Sequence, residues 1–166
     1  MDWLKRLFGG SHAAPILPIP SESDGDRLKA ITARVFANGN PEARAVPTPL
    51  LSLEEFFEGN DDIGSIGCNL DGSPPPSQFY ALFQEILDRP EVSDVRVQVT
   101  CVDSPGEEWP FSDTIWIMTT ADETTVRSWF PDELMPNDCW IGWIDGQKYE
   151  TINVDPGHHP VAVWYD

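Results

Sequence analysis

Three groups of residues in this chain have types and spacing that can do chemistry. The first is the turn Asn60-Asp61-Asp62 in "FFEGNDDIGSIGCNL". Adjacent oxygen ligands suggest a hard cation, but a calcium loop alternates its ligands, places glycine sixth and ends on a glutamate. Here the three side chains are consecutive, Gly64 is fifth from Asn60 and the twelfth residue is Asp71. Asn and Asp are also ordinary turn formers, because their side chains bond nearby backbone. The turn is therefore expected to be a corner.

The second group is Glu107, Glu108 and Asp113, around "WPFSD". Paired carboxylates do acid–base work when their surroundings separate their pKa values. In a chain with 28 acids, chance placement accounts for these three. The third group is Asp155, His158 and His159 in "DPGHHP". Adjacent histidines diverge in an extended chain, and no His-x-x-x-His or His-Glu-x-x-His accompanies them. Cys68, Cys101 and Cys139 are far apart and odd in number, so neither a disulfide framework nor a zinc pair is expected. No phosphate-binding glycine loop, nucleophile elbow or dinucleotide fingerprint is present. No metal and no cofactor is expected.

Charge is the strongest compositional signal. The chain has 166 residues and a net charge of −18. Residues 51–166 hold four basic residues against twenty-three acidic ones. Such a body repels a phosphate backbone, so no nucleic-acid partner is expected. It favours a basic protein partner.

Several elements are legible. Residues 1–10, "MDWLKRLFGG", place Trp3, Leu4, Leu7 and Phe8 on one helical stripe with Lys5 and Arg6 off it. This short amphipathic peptide is suited to a membrane surface or a partner's groove. Residues 11–49 read as a proline-rich linker carrying one helix, with Leu28, Ile31, Val35 and Phe36 at helical spacing. An acidic domain is expected over 50–166. It opens with a capping box, Ser52 and Glu55, that starts a helix over 53–58. Then come a strand over 65–70, with Ile66, Cys68 and Leu70 on one face, and a helix striped by Phe79, Leu82, Phe83, Ile86 and Leu87. A second strand alternates Val95, Val97, Val99 and Cys101 with polar residues. A third covers 114–119, and a short helix capped by Thr120 carries Val126, Trp129 and Phe130. An excursion over 136–150 and a strand over 161–166 close the chain.

This order, βαββαβ, predicts an α+β fold of ferredoxin-like type: an antiparallel sheet with helices on one face, plus an N-terminal helical extension. The third strand is apolar on both sides. If the valine sets face the helices, Trp116, Met118 and Trp164 land on the other face. A bare patch of that size asks for a cover. The candidates are the "CWIGW" excursion, the early helix, a second copy of the chain, or another protein. Trp140 and Trp143 are candidates for that cover, or for stacking on a sugar or gripping a peptide.

The sequence thus predicts a non-enzymatic, acidic protein-binding module, of the kind an inhibitor or immunity protein presents to a basic partner. Its candidate contact residues are Asp61, Asp62, Trp116, Trp140, Trp143 and Trp164. The alternative is an enzyme or small-ligand domain with a carboxylate-lined cleft near 60–65 and 104–113. Further expectations are membrane or groove docking through Trp3, Leu4, Lys5, Arg6, Leu7 and Phe8, and self-association as a homodimer. With no apolar run long enough to span a bilayer and no secretion signal, the expected location is cytoplasmic, with peripheral contact at the inner membrane surface.

Overall fold

A computed structural model of the chain describes residues 22–166. The expected peptide 1–10 lies outside the described residues. The elements run α1 (Glu22–Val35), β1 (Leu50–Leu51), α2 (Leu53–Phe57), α3 (Pro76–Leu87), β2 (Val92–Gln98), β3 (Thr114–Thr119), α4 (Glu123–Arg127), a 3-10 turn (Asp132–Leu134), β4 (Asp138–Ile141) and β5 (His159–Trp164). The fold is α+β, with one five-stranded antiparallel sheet in the order β1-β2-β3-β5-β4.

This strand order differs from the ferredoxin-like expectation, and the reason is local. The segment 65–70, expected as the first strand, is a run of turns with a single bridge, Ile66 to Ser112. Gly67 has φ +60°, and a Cβ there would lie 2.5 Å from Cζ of Phe79. The chain turns where it touches α3, and only glycine fits. Cys68 is exposed and Ile66 is buried, so the expected common face does not exist. The edge place beside β2 goes instead to the two-residue β1, where Leu51 pairs with Val97. The last helix is also capped differently. Asp122, not Thr120, accepts the N–H of Thr125 at 2.7 Å.

Other elements form for the reasons expected. Ser52 and Glu55 make both halves of the capping box, at 3.1 and 2.8 Å. Phe79, Phe83 and Ile86 of α3 are buried. They share one core with Val95, Val97, Ile115, Ile117, Val161 and Val163 of the sheet. Ile31 and Val35 of α1 belong to the same core.

The opposite face carries a second, smaller core of Leu50, Trp116, Met118 and Ala162. It is covered by the segment after β4, which we call the strap (residues 142–154). Trp140, Trp143 and Tyr149 surround Trp116 with ring centroids 6.3, 4.5 and 5.5 Å away. The strap leaves the β4 edge, reaches the opposite edge at residues 148–150, and packs Ile152 and Val154 on the second core beyond it. At that opposite edge the N–H of Thr48 donates to the Lys148 carbonyl at 2.8 Å and that of Glu150 to the Thr48 carbonyl at 3.0 Å. Crossing four strand gaps needs roughly 19 Å, and eight extended residues reach roughly 26 Å, so the strap has length to spare. The "CWIGW" excursion is therefore the cover.

The far point of the strap is held by an ion pair. Arg34 of α1 grips Glu150 with both Nη atoms, at 2.9 and 2.7 Å, and its Nε donates to Glu55 at 3.0 Å. Glu150 also accepts from Asn38 and from the N–H of Leu50. Burial pushes the Glu150 carboxyl up, but these donors outweigh it and hold it below its ordinary value. The Arg34 guanidinium is stabilised in its charged form mainly by the Glu150 hydrogen bonds.

Two outcomes follow for stability. Trp116 is fully buried, so Trp116→Ala is expected to cost about 3–5 kcal/mol in urea unfolding; a cost under about 1 kcal/mol would mean the strap does not form a packed core. A depressed carboxyl stabilises the fold above the unfolded-state value and loses that contribution as pH falls through the folded one. Glu150→Gln should therefore cost about 2 kcal/mol at neutral pH and converge on the wild type in acid. Parallel unfolding curves across the whole pH range would contradict this.

Candidate functional site

The acidic turn is a corner. Asn60 and Ser65 are buried and their side chains are bonded to each other at 3.0 Å, and Asn60 Oδ1 accepts the N–H of Asp62 at 3.1 Å. The Asp62 carboxylate accepts the N–H of Trp109 at 3.3 Å, and Ser112 donates its N–H to the Ser65 carbonyl at 2.8 Å. The turn is thereby stitched to the 104–113 loop. Asp61 is exposed.

Between the two loops lies an open depression of about 320 Å³, lined by Asp62, Ile63, Asp103, Glu108, Trp109 and Phe111. It occupies the place where a carboxylate-lined cleft was expected. Ile63 is 60% exposed, the most exposed large apolar side chain among the described residues. Trp109 beneath it is buried, its indole N–H donating to the Phe56 carbonyl at 2.8 Å. Among the described residues no group of three or more His, Cys, Asp or Glu is arranged to hold a metal ion.

A second recess, about 450 Å³, opens at one end of the strap-covered face. Its floor is the lateral row Gln98, Thr114 and Trp164, which the β2–β3 and β3–β5 registers place side by side. Trp140, Ile144 and Lys148 of β4 and the strap form one wall, and the 41–48 loop with Arg44 forms another. Gln98 is only 6% exposed, and its carbonyl accepts the indole N–H of Trp116 at 2.9 Å. Asp113 Oδ1 accepts from the hydroxyls of Thr100 at 2.6 Å and Thr114 at 2.7 Å.

The sequence-predicted residues thus separate. Asp62 lines the depression, and Asp61 is its exposed neighbour in the chain. Trp116 is buried, Trp143 covers it, and Trp140 and Trp164 are half-buried at the second recess. Trp3 to Phe8 lie outside the described residues. Gln98, Thr100, Arg44 and Lys148 carried no signal in the sequence, since an amide or hydroxyl on the polar side of a strand reads as solvated surface.

The thiols and imidazoles do not meet. Burial, aided by neighbouring carboxylates, pushes the Cys101 thiol up. Burial pushes Cys139 up to about 11 despite Arg127 nearby. His159 Nε2 lies 2.9 Å from the Ala121 carbonyl and His158 Nδ1 3.4 Å from that of Pro156. Among the described residues no helix is long and apolar enough to cross a membrane.

Residues 26–163 match the Uncharacterized protein YfbO family. A relative from Escherichia coli (strain K12), named Uncharacterized protein YfbO, is 42% identical over 139 residues, which is 84% of this chain and 98% of the relative. No solved structure matches the chain. The match runs from within α1 into β5 and so takes in the second core, the depression and all of the first core and the recess but Tyr165 and Trp164: the chain belongs to the YfbO family.

Proposed function

We propose that the chain is a non-enzymatic binding module that engages a basic protein through the depression around Ile63, in the manner of an inhibitor or immunity-type protein. The observation that carries this is the placing of Ile63. A largely exposed isoleucine lines the depression with Asp62, Asp103 and Glu108, the exposed Asp61 and Glu107 adjoin them in the chain, and no cation among the described residues lines it. An apolar centre ringed by charges of one sign suits a partner with an apolar anchor and a basic rim.

The distribution of cations supports the same reading. Of the eight basic residues in 22–166, five are held in ion pairs: Arg27 with Glu58, Lys29 with Asp26, Arg34 with Glu55 and Glu150, Arg89 with Glu91, and Arg96 with Asp94. These cations stay engaged with their own chain, and the surface field is left to the excess carboxylates. Such a field speeds encounter with a basic partner and weakens as salt screens it.

Affinity capture from a native lysate, run with the wild type, with Ile63→Asp and with the double variant Asp61→Lys/Glu108→Lys, tests this. The wild type should retain a basic protein that elutes as salt rises, and each variant should lower its affinity by roughly tenfold or more. Capture that is insensitive to salt, equal among the three proteins, or absent would overturn the proposal.

A further inference from the structure

We propose that the recess at the open end of the strap-covered face is a binding site for a neutral saccharide, independent of the acidic depression. Its centre is Gln98. The Trp116 indole can only donate a hydrogen bond, and its N–H is buried against the Gln98 side chain. The amide orientation is therefore not free: the oxygen faces Trp116, and the NH2 faces away. Among the described residues that NH2 donates to no group, and it is open to the recess that Gln98 lines. Its two donors are not closed off within the chain, and a ligand that enters the recess can accept from them.

The surrounding groups say which partner. Asp113 is held rigid by two threonine hydroxyls on Oδ1, which leaves Oδ2 as an acceptor. A fixed donor pair and a fixed carboxylate acceptor match hydroxyl groups, each of which both donates and accepts. Trp140 and Trp164, both half-buried, line the same recess and offer flat apolar faces for the C–H side of a sugar ring.

Charge excludes the nearest competitors. The recess is lined by Arg44 and Lys148 and by Glu42 and Asp113, a balance of zero in a chain of net charge −18. Arg44 and Lys148 are also two of the three basic residues in 22–166 that form no ion pair among the described residues. A balanced lining selects neither an anion nor a cation and favours a polar, uncharged ligand. The recess volume, about 450 Å³, lies within the range of small-molecule sites.

The test is a titration of the isotope-labelled protein with glucose, galactose, N-acetylglucosamine, maltose and cellobiose, with adenosine and glucuronate as controls. The readouts are the Gln98 side-chain amide and the Trp116, Trp140 and Trp164 indole N–H resonances, with calorimetry for affinity. At least one neutral sugar should shift the Gln98 amide together with Trp140 and Trp164. Trp164→Ala and Asp113→Asn should each weaken that sugar by roughly tenfold while leaving the Trp116 resonance in place. Gln98→Leu should abolish binding, and the dispersion of the core valine and isoleucine methyl resonances reports whether the fold survives it, since the Trp116 N–H loses its own acceptor in this variant. The proposal is overturned if no neutral sugar moves the Gln98 amide, if shifts occur only outside the recess, or if adenosine or glucuronate binds in preference. The Ile63→Asp variant should bind the sugar as the wild type does, so loss of the protein-binding role and loss of this site are separately visible.

Discussion

A central strand that is apolar on both sides leaves a sheet with two surfaces to hide from water. In β3, Ile115 and Ile117 face the helices while Trp116 and Met118 face away, and all four are fully buried. Helices cover the first face in the usual way. The second face has no helix to spare, and the chain covers it with an irregular strap rich in aromatic rings. A strap without regular structure has few hydrogen bonds of its own and must be fixed at its ends. One end continues from β4. Its far point is held where Glu150 meets Arg34, Asn38 and the backbone of Leu50. That one carboxylate joins α1, the β1 edge and the strap, and through Arg34 it also reaches Glu55 at the cap of α2.

The same pair is one place where so acidic a chain offsets its self-repulsion. Self-repulsion among many carboxylates works against the compact state. The chain answers by placing a scarce cation at the junction where it contacts two acids at once. Arg89 is used similarly, paired with Glu91 and lying 4.6 Å over the Trp129 ring. The β4 edge is managed with an acid. Asp138 turns its carboxylate onto the N–H of Cys139 at 2.8 Å, occupying a donor of an edge strand that could otherwise recruit another chain.

Much of this was legible in the residues, and what was not has physical causes. The period-two pattern of β2, the stripe of α3 and the Ser52–Glu55 box each report a local rule, and each element formed. The need for a cover over Trp116 and Met118 was legible because β3 has no polar side. The segment 65–70 misled because Ile66, Cys68 and Leu70 alternate like a strand, while Gly64 and Gly67, at φ +102° and +60°, impose turns. The two-residue β1 is too short to leave any periodicity, yet it fixes one edge of the sheet. Without it the ferredoxin-like order was the natural inference. Gln98 was hidden for a different reason. Its burial comes from the strap, which lies some fifty residues away in sequence, and no local pattern can announce that.

The depression and the recess share one piece of backbone. Phe111 lines the first, Asp113 and Thr114 line the second, and Ser112 between them is fully buried. Shared residues are often taken to imply communication, but coupling needs an element with two arrangements that both ligands bias. This segment is bonded on both sides. Thr100 donates its N–H to the Phe111 carbonyl at 2.8 Å, Phe111 donates to Cys101 at 3.0 Å, and Ser112 donates to Ser65 at 2.8 Å. A wall held at that many points transmits little and positions a great deal. The entry to β3 is therefore a common scaffold, on which the acidic depression and the charge-balanced recess are both built.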